Sequence, residues 1–307
     1  MKATYRPWLF RYAVFVVCWT IVLLTAGALV TSEDAALAVP DWPLSYGTLT
    51  PPMVGGIAFE HTHRVIAAIL GMFIVVLAVW LWAKDERRWL KYLGLAAVAG
   101  VIFQGVLGGL TVLELLKYWL PVAHAVTAEI MFAVLVSIAV FTSRWWLGET
   151  ARYEDSGSGL SSIHSIVVLN SALIFVQVLL GAGFRHRYIS LLPHVIGSVC
   201  VLGMVIYTAM VLRRRFPQAP EMVKARKMLH AIVGTQFLLG LIAYYARVTT
   251  ANAPEPVAFM VASTVVHTVV GAVLFATSIY VVILSYRLVP RSGEVRVAAE
   301  GRMAARG

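Results

Sequence analysis

Eight runs of about twenty mostly apolar residues, separated by short polar segments, restrict this chain more than any other feature it has. They are expected as membrane-crossing helices near residues 9–30, 60–82, 93–113, 121–141, 163–184, 191–212, 228–245 and 259–288. A chain of 307 residues that is 60% hydrophobic and 13% charged has too few polar groups to cover a water-facing surface, so its solvent is lipid. The expected fold class is therefore an all-α integral membrane protein, with eight transmembrane helices arranged as two pseudo-symmetric four-helix bundles. The first run is expected to be retained rather than cleaved, because Ser32-Glu33-Asp34 follows it without a small-residue processing pattern.

Orientation is read from lysine and arginine, which accumulate on the cytoplasmic side. With the N-terminus inside, 20 of the 25 basic residues fall on inner segments, among them Lys2, Arg6, Arg11, Arg213 to Arg215, Arg291, Arg296, Arg302 and Arg306. Arg64, Lys117, Arg185, Arg187 and Arg247 fall at outer helix ends. Both termini are thus expected in the cytoplasm, in a cell membrane. The net charge of +10 is explained by topology and anionic lipid, without nucleic acid. Cys18 and Cys200 lie inside the expected spans, where they read as small packing residues.

Between the fourth and fifth runs, Ser156-Gly157-Ser158-Gly159 has the composition of a linker and divides the chain in two. The expected organisation is an N-terminal four-helix half over 1–147, a cytoplasmic linker over 148–162, a C-terminal half over 163–288 and a tail over 289–307. Internal repetition supports the division. Gln104, Gln177 and Gln236 each open a Gln-x-x-Leu-Gly pattern that closes on Gly108, Gly181 and Gly240. Leu120-Pro121 and Leu192-Pro193 then answer across the loop, each followed by a histidine, His124 or His194. Gln and Gly are also ordinary packing residues between membrane helices, so this repeat alone carries little.

The histidines carry more. His63, His124, His194 and His267 occur one on each inward-running helix, two per half, at similar depth near the outer end. An ionisable side chain in lipid is costly and marks a ligand, a pathway or a buried partner. Imidazoles from two helices can bind haem iron from opposite faces, whereas zinc wants about four clustered ligands, commonly with Cys. In Glu60-His61-Thr62-His63-Arg64, Glu60 and His63 share a helix face, and Arg64 is placed to clamp a haem propionate. The plainer reading makes Glu60 a dipole-compensating residue at a helix start, with Arg64 reaching to the interface. His194 and His267 have no such carboxylate beside them, so the halves are expected to be chemically unequal. Glu129, five residues beyond His124, points elsewhere and has two open readings, a bond to a neighbouring helix or a step in a proton path. His164 and His230 read as interfacial, and His61 and His186 carry no assignment.

Together these residues resemble the haem A synthase family of cytochrome oxidase assembly proteins. The likeness lies in Gly27-Ala28-Leu29-Val30-Thr31, Asp41-Trp42-Pro43-Leu44 with Gly47, Glu60 to Arg64, Gln104 to Gly109, and the four histidines on alternate helices. It implies an oxidoreductase that converts a ring methyl of haem O to a formyl group. It implies substrate haem O near His63 and His124 with Glu60 as the catalytic carboxylate, and a resident haem b on His194 and His267. Implied partners are lipid, haem O, haem O synthase and a quinone or other electron acceptor, with an oligomer open. One departure is plain: many relatives carry a cysteine pair in the first outer loop, and residues 31–48 here contain none. Two other classes of function remain open, a di-haem electron-transfer cytochrome and a haem delivery or assembly factor.

Overall fold

Each expected span is a helix in the structure, a computed structural model that describes residues 4–117 and 119–290. The long helices are α1 (Pro7–Ser32), α2 (Gly55–Lys84), α3 (Arg88–Leu113), α4 (Leu120–Thr142), α5 (Ile163–Arg185), α6 (Leu191–Arg215), α7 (Pro220–Thr249) and α8 (Ala258–Leu288), with single short turns at Arg144–Leu147 and Gly159–Ser161 between α4 and α5. All eight are long and apolar enough to cross a membrane, and the chain is a multi-pass membrane protein. Among the described residues there is no strand beyond an isolated bridge between Ser45 and Thr48. Lys2, Arg291, Arg296, Arg302, Arg306 and most of the expected 289–307 tail lie outside the described residues.

Helix starts follow local chemistry. Proline occupies the first turn of α1, α4 and α7, where its missing N–H has no intrahelical partner to lose. Three helices, α2, α3 and α7, begin five or more residues earlier than hydropathy indicates. In α7, Glu221, Lys224, Arg226 and Lys227 interrupt the apolar run, yet Met222, Ala225 and Leu229 between them are buried. The first turns of α7 are therefore amphipathic and dock on the protein. In α2, the helix opens at Gly55 with φ +50°, so Glu60 sits in the second turn and the first turn holds no acid. Since helix-terminal charge effects fade within the first turn, the dipole reading of Glu60 fails.

Neighbouring helices close two rings. In the first, α1 packs on α2, α2 on α3, α3 on α4 and α4 back on α1; in the second, α5, α6, α7 and α8 close in the same order. Leu70, Ile74, Leu77, Leu135 and Ile138 fill the first ring, and Val205, Leu212, Leu229, Val281 and Leu284 the second. The rings meet where α8 lies on α1 and α4, and α4 on α5. Phe132 of α4 packs there against Ala272 and Ala276 of α8, with Val17 and Ile21 of α1 alongside. Large apolar side chains such as Val79, Phe103 and Leu241 face outward, as lipid permits. Cys18 and Cys200 are also exposed rather than packed between helices. Their positions in apolar runs gave no sign of which helix face they occupy.

The glycine-serine segment is pinned down. Asp155 accepts from Gly157 N (3.0 Å), Ile163 N (2.6 Å) and Arg215 Nη1 (3.0 Å), and Tyr153 N donates to Leu288 O (2.9 Å). Linker composition therefore coexists with a fixed path, because one carboxylate caps α5 and pairs with α6 at once.

Candidate functional site

All four alternating-helix histidines lie at the same end of the bundle and meet in pairs. The ring centroids of His63 and His124 are 6.5 Å apart, those of His194 and His267 are 6.3 Å apart, and each pair is inclined at 86°. Each ring rests against a glycine of the preceding helix. A Cβ added at Gly27 would lie 3.1 Å from His63 Nε2, and one at Gly108, Gly181 or Gly240 would lie 3.2, 3.0 or 3.2 Å from Cε1 of His124, His194 or His267. The closing glycine of the repeat is therefore the space into which the next histidine fits.

The repeat's glutamines hold the same rings. Gln177 Nε2 lies 3.0 Å from His194 Nδ1 and donates to His194 O (2.8 Å). With its amide turned to satisfy both atoms, Gln104 donates to His124 Nδ1 (2.9 Å) and its oxygen accepts from Ala128 N (2.8 Å). Gln236 departs from this pattern, approaching Nε2 of His267 at 3.4 Å and leaving the buried Nδ1 without a partner. Helix α1 carries Leu23 at the corresponding place, so His63 has a glycine but no glutamine. A ligating ring keeps its hydrogen on the second nitrogen and donates it, so a half-turn of each amide offers the oxygen that ligation requires.

These residues fit haem. Two imidazoles bound to opposite faces of one metal at about 2 Å, each nitrogen about 1.1 Å from its ring centre, have centroids roughly 6.3 Å apart. Among the described residues, no three His, Cys, Asp or Glu side chains gather as a metal site. Gly181→Ala is expected to push the His194 ring aside and weaken pigment retention about tenfold, read as the Soret-to-protein absorbance ratio. Gly105→Ala, with nothing within 4 Å of the new methyl, is the control expected to leave that ratio unchanged.

The Glu60 to Arg64 run does more than supply His63. Glu60 is buried, its Oε1 accepting from Arg64 Nη2 (2.6 Å) and its Oε2 from Val39 N (2.9 Å). Arg64 Nη1 donates to Asp41 O (2.7 Å) and Leu44 O (2.6 Å), and Nη2 also to Val39 O (3.3 Å). His61 Nδ1 shares a hydrogen bond with Ser45 Oγ (2.8 Å). Three of the motif's side chains thus tie the α1–α2 loop down beside His63. With its Nη hydrogens engaged in this way, Arg64 retains Nε–H for any further partner.

That loop has its own internal brace. Asp41 accepts from Tyr46 N and Gly47 N (2.7 Å each), where both residues take positive φ, and a Cβ at Gly109 of α3 would strike the Trp42 ring at 2.7 Å. The Gly47 N–H first, then Tyr46 N–H and the Arg64 charge, hold the Asp41 carboxyl below its usual 3.8 despite opposing desolvation. A lowered carboxyl stabilises the fold fully above its unfolded value and loses that contribution as pH falls through the lowered one. Trp42 fluorescence is accordingly expected to stay flat on acidification to about pH 4 and to change below it; Asp41→Asn is expected to remove this acid transition.

The second ring is furnished differently. Phe184 stacks on His194 (6.4 Å, 12°), and the Arg247 guanidinium lies over the Phe184 ring at 5.2 Å. Arg185 reaches across the seam, donating to Ala28 O (2.8 Å) and Ser32 Oγ (2.8 Å) of α1 and to Thr268 Oγ1 (3.2 Å) of α8. The α5–α6 connection leans toward the first ring, with Tyr188 Oη donating to Leu116 O (3.2 Å). Burial, followed by the charges of Arg185 and His124, pushes the neighbouring His186 imidazole down to about 4. His186, which directly follows Arg185 at the end of α5, carried no assignment in the sequence, where its place beside an outer loop offered no distinguishing signal. His164 is not simply exposed: its Nε2 meets Val289 O (3.1 Å) and its ring packs on Tyr286. His230 is exposed, as expected. Glu129 is buried, its Oε2 unpartnered, one turn from Phe132 at the seam.

Fold and site together define a polytopic helical membrane protein with two facing imidazole pairs at one end. Comparison with known proteins sharpens that description. Residues 56–193 match the family model described as cytochrome oxidase assembly protein. A protein named heme A synthase from Alkalihalophilus pseudofirmus is 34% identical over 136 residues, covering 42% of this chain and 46% of the relative. Another of that name from Halalkalibacterium halodurans is 36% identical over 92 residues, covering 29% and 30%. A third, from Listeria welshimeri, is 31% identical over 129 residues, covering 41% and 42%. The matches support the resemblance to the haem A synthase family, and the chain spans less than half the length of these curated relatives. The family match contains Glu60, His63, Arg64 and His124 and stops one residue before His194.

Proposed function

We propose that this chain is a haem A synthase that oxidises a ring methyl of haem O to a formyl group, supplying haem A for terminal oxidases. Haem O would lie between His63 and His124, and haem b would reside between His194 and His267. The observation that carries the proposal is the pair of imidazole gaps, 6.5 and 6.3 Å, set in unequal surroundings. Bound iron would supply the oxidising chemistry. Gly27 and Gly108 leave room for the first pair, Glu60, His61 and Arg64 tie the α1–α2 loop beside it, and Glu60 is the carboxylate nearest in sequence to His63. Both Glu60 oxygens already accept hydrogen bonds, one from Arg64 and one from Val39 N. Each oxygen keeps a second lone pair, so Glu60 can take up a proton without giving up either bond to the loop.

The proposed boundaries are 1–147 for the substrate half and 163–288 for the resident-haem half, with 148–162 between them and both termini in the cytoplasm. A quinone or another acceptor would remove the electrons, and haem O synthase would supply the substrate. A second reading, a di-haem electron-transfer cytochrome, is favoured by the near-identity of the two pairs, both inclined at 86°. Extraction and mass analysis of pigments from protein expressed together with haem O synthase decides between them. Haem O and haem A are expected beside the resident haem b; haem b alone would establish the cytochrome or a delivery factor.

A further inference from the structure

Beside His194 and His267 stand two guanidiniums that the function above does not use. Among the described residues the ion pairs are Arg64–Glu60, Arg87–Asp85 and Arg215–Asp155, so neither Arg185 nor Arg247 has a carboxylate partner. Arg185 is part-buried, and the Arg247 guanidinium lies over the ring of Phe184, the residue before it, so two cations stand at the same end of the second ring. A part-buried guanidinium without a counter-ion is costly in a membrane protein and commonly marks a place where an anion binds.

Both cations are placed relative to the imidazole pair. Arg247 lies over the Phe184 ring, whose other contact is the stacked His194 ring. Arg185 is bonded to Thr268, the residue after His267, and its three protein hydrogen bonds use three of five donors. Those bonds fix the side chain before any ligand arrives, so little further ordering is needed to bind one. The counterpart arginine of the first ring, Arg64, is taken up by Glu60 and by three loop carbonyls.

We propose that Arg185 and Arg247 are the seat for the two carboxylates of the porphyrin held between His194 and His267, and that the first ring has no equivalent seat. This rests on the haem reading above and deepens it. Ligation by two histidines is common to both sites, so the carboxylate seat is what distinguishes a resident porphyrin from one that must leave after turnover. The fixed Arg185 also ties that seat to the carbonyl of Ala28, next to the glycine on which His63 rests.

The test uses full-length protein purified from haem-deficient cells, in a His63→Ala, His124→Ala background that leaves the second site as the binding centre. Iron protoporphyrin IX and its dimethyl ester are titrated by Soret absorbance. The free acid is expected to bind at least tenfold more tightly than the ester, and Arg247→Gln, at an exposed helix end, is expected to remove about tenfold of that preference. Arg185→Lys is expected to keep most of the preference, and Ser32→Ala, which breaks one seam bond without touching charge, all of it. Arg185→Gln is expected to remove the preference as Arg247→Gln does; should it not fold, the Arg247→Gln and Arg185→Lys results carry the conclusion. Equal affinity for acid and ester in the parent protein overturns the seat and leaves haem binding standing. Binding of neither overturns the haem reading itself.

Discussion

Replacing His194 or His267 by alanine is expected to strip the resident pigment from the protein, lowering affinity by two orders of magnitude or more. The reasoning is geometric. A metal held between rings 6.3 Å apart would lose one of its two protein ligands when either is removed, leaving only the ring beside Gln177 or Gln236. His63→Ala and His124→Ala act on the other pair and are expected to abolish haem A formation while leaving the low-spin haem b spectrum in place. Redox difference spectra and pigment stoichiometry on the four single variants separate the two centres. Undiminished haem content in a His194→Ala, His267→Ala double variant would falsify the resident site.

The second large effect is expected at Glu60. Glu60→Gln should reduce haem A output by about a hundredfold or more while the protein stays coloured, since loss of a positioned acid or base commonly costs 10²–10⁴ in rate. The structure adds a complication that the sequence alone does not show. Glu60 also anchors the loop through Val39 and Arg64, and removing one member of a buried pair costs about 3 kcal/mol. Arg64→Met separates the two roles, because it frees the loop while keeping the carboxylate. Output that falls far more in Glu60→Gln than in Arg64→Met assigns proton handling to Glu60; equal loss in both assigns it to holding the loop. Chromatography of extracted haems measures the outcome.

The two kinds of information in the sequence were unequally legible. Hydropathy located every span, because lipid imposes length and composition on each helix independently. The pairing of histidines was legible as well, since one imidazole per alternate helix at a similar depth leaves few other arrangements. The glutamine-to-glycine repeat was visible, but its purpose was not: only a three-dimensional neighbour shows that Gly181 is the floor under His194. The Glu60 and Arg64 pairing escaped for a similar reason. Helical spacing put Glu60 on the His63 face, yet i to i+4 spacing also puts it beside Arg64, and loop carbonyls decided which neighbour it keeps. Arg185 was noted as a basic residue at a helix end, and nothing local marked it as the link between rings.

Helix α8 touches its own ring through α5 and α7 and the other ring through α1 and α4. It also carries His267, and half of its most apolar stretch is buried, the largest share among the spans. Synthesis proceeds from the N-terminus, so His63 and His124 can meet once four spans have been inserted, whereas His194 waits for the eighth. The two imidazole pairs are therefore completed in a fixed temporal order: the second exists only after the eighth span has entered the bilayer.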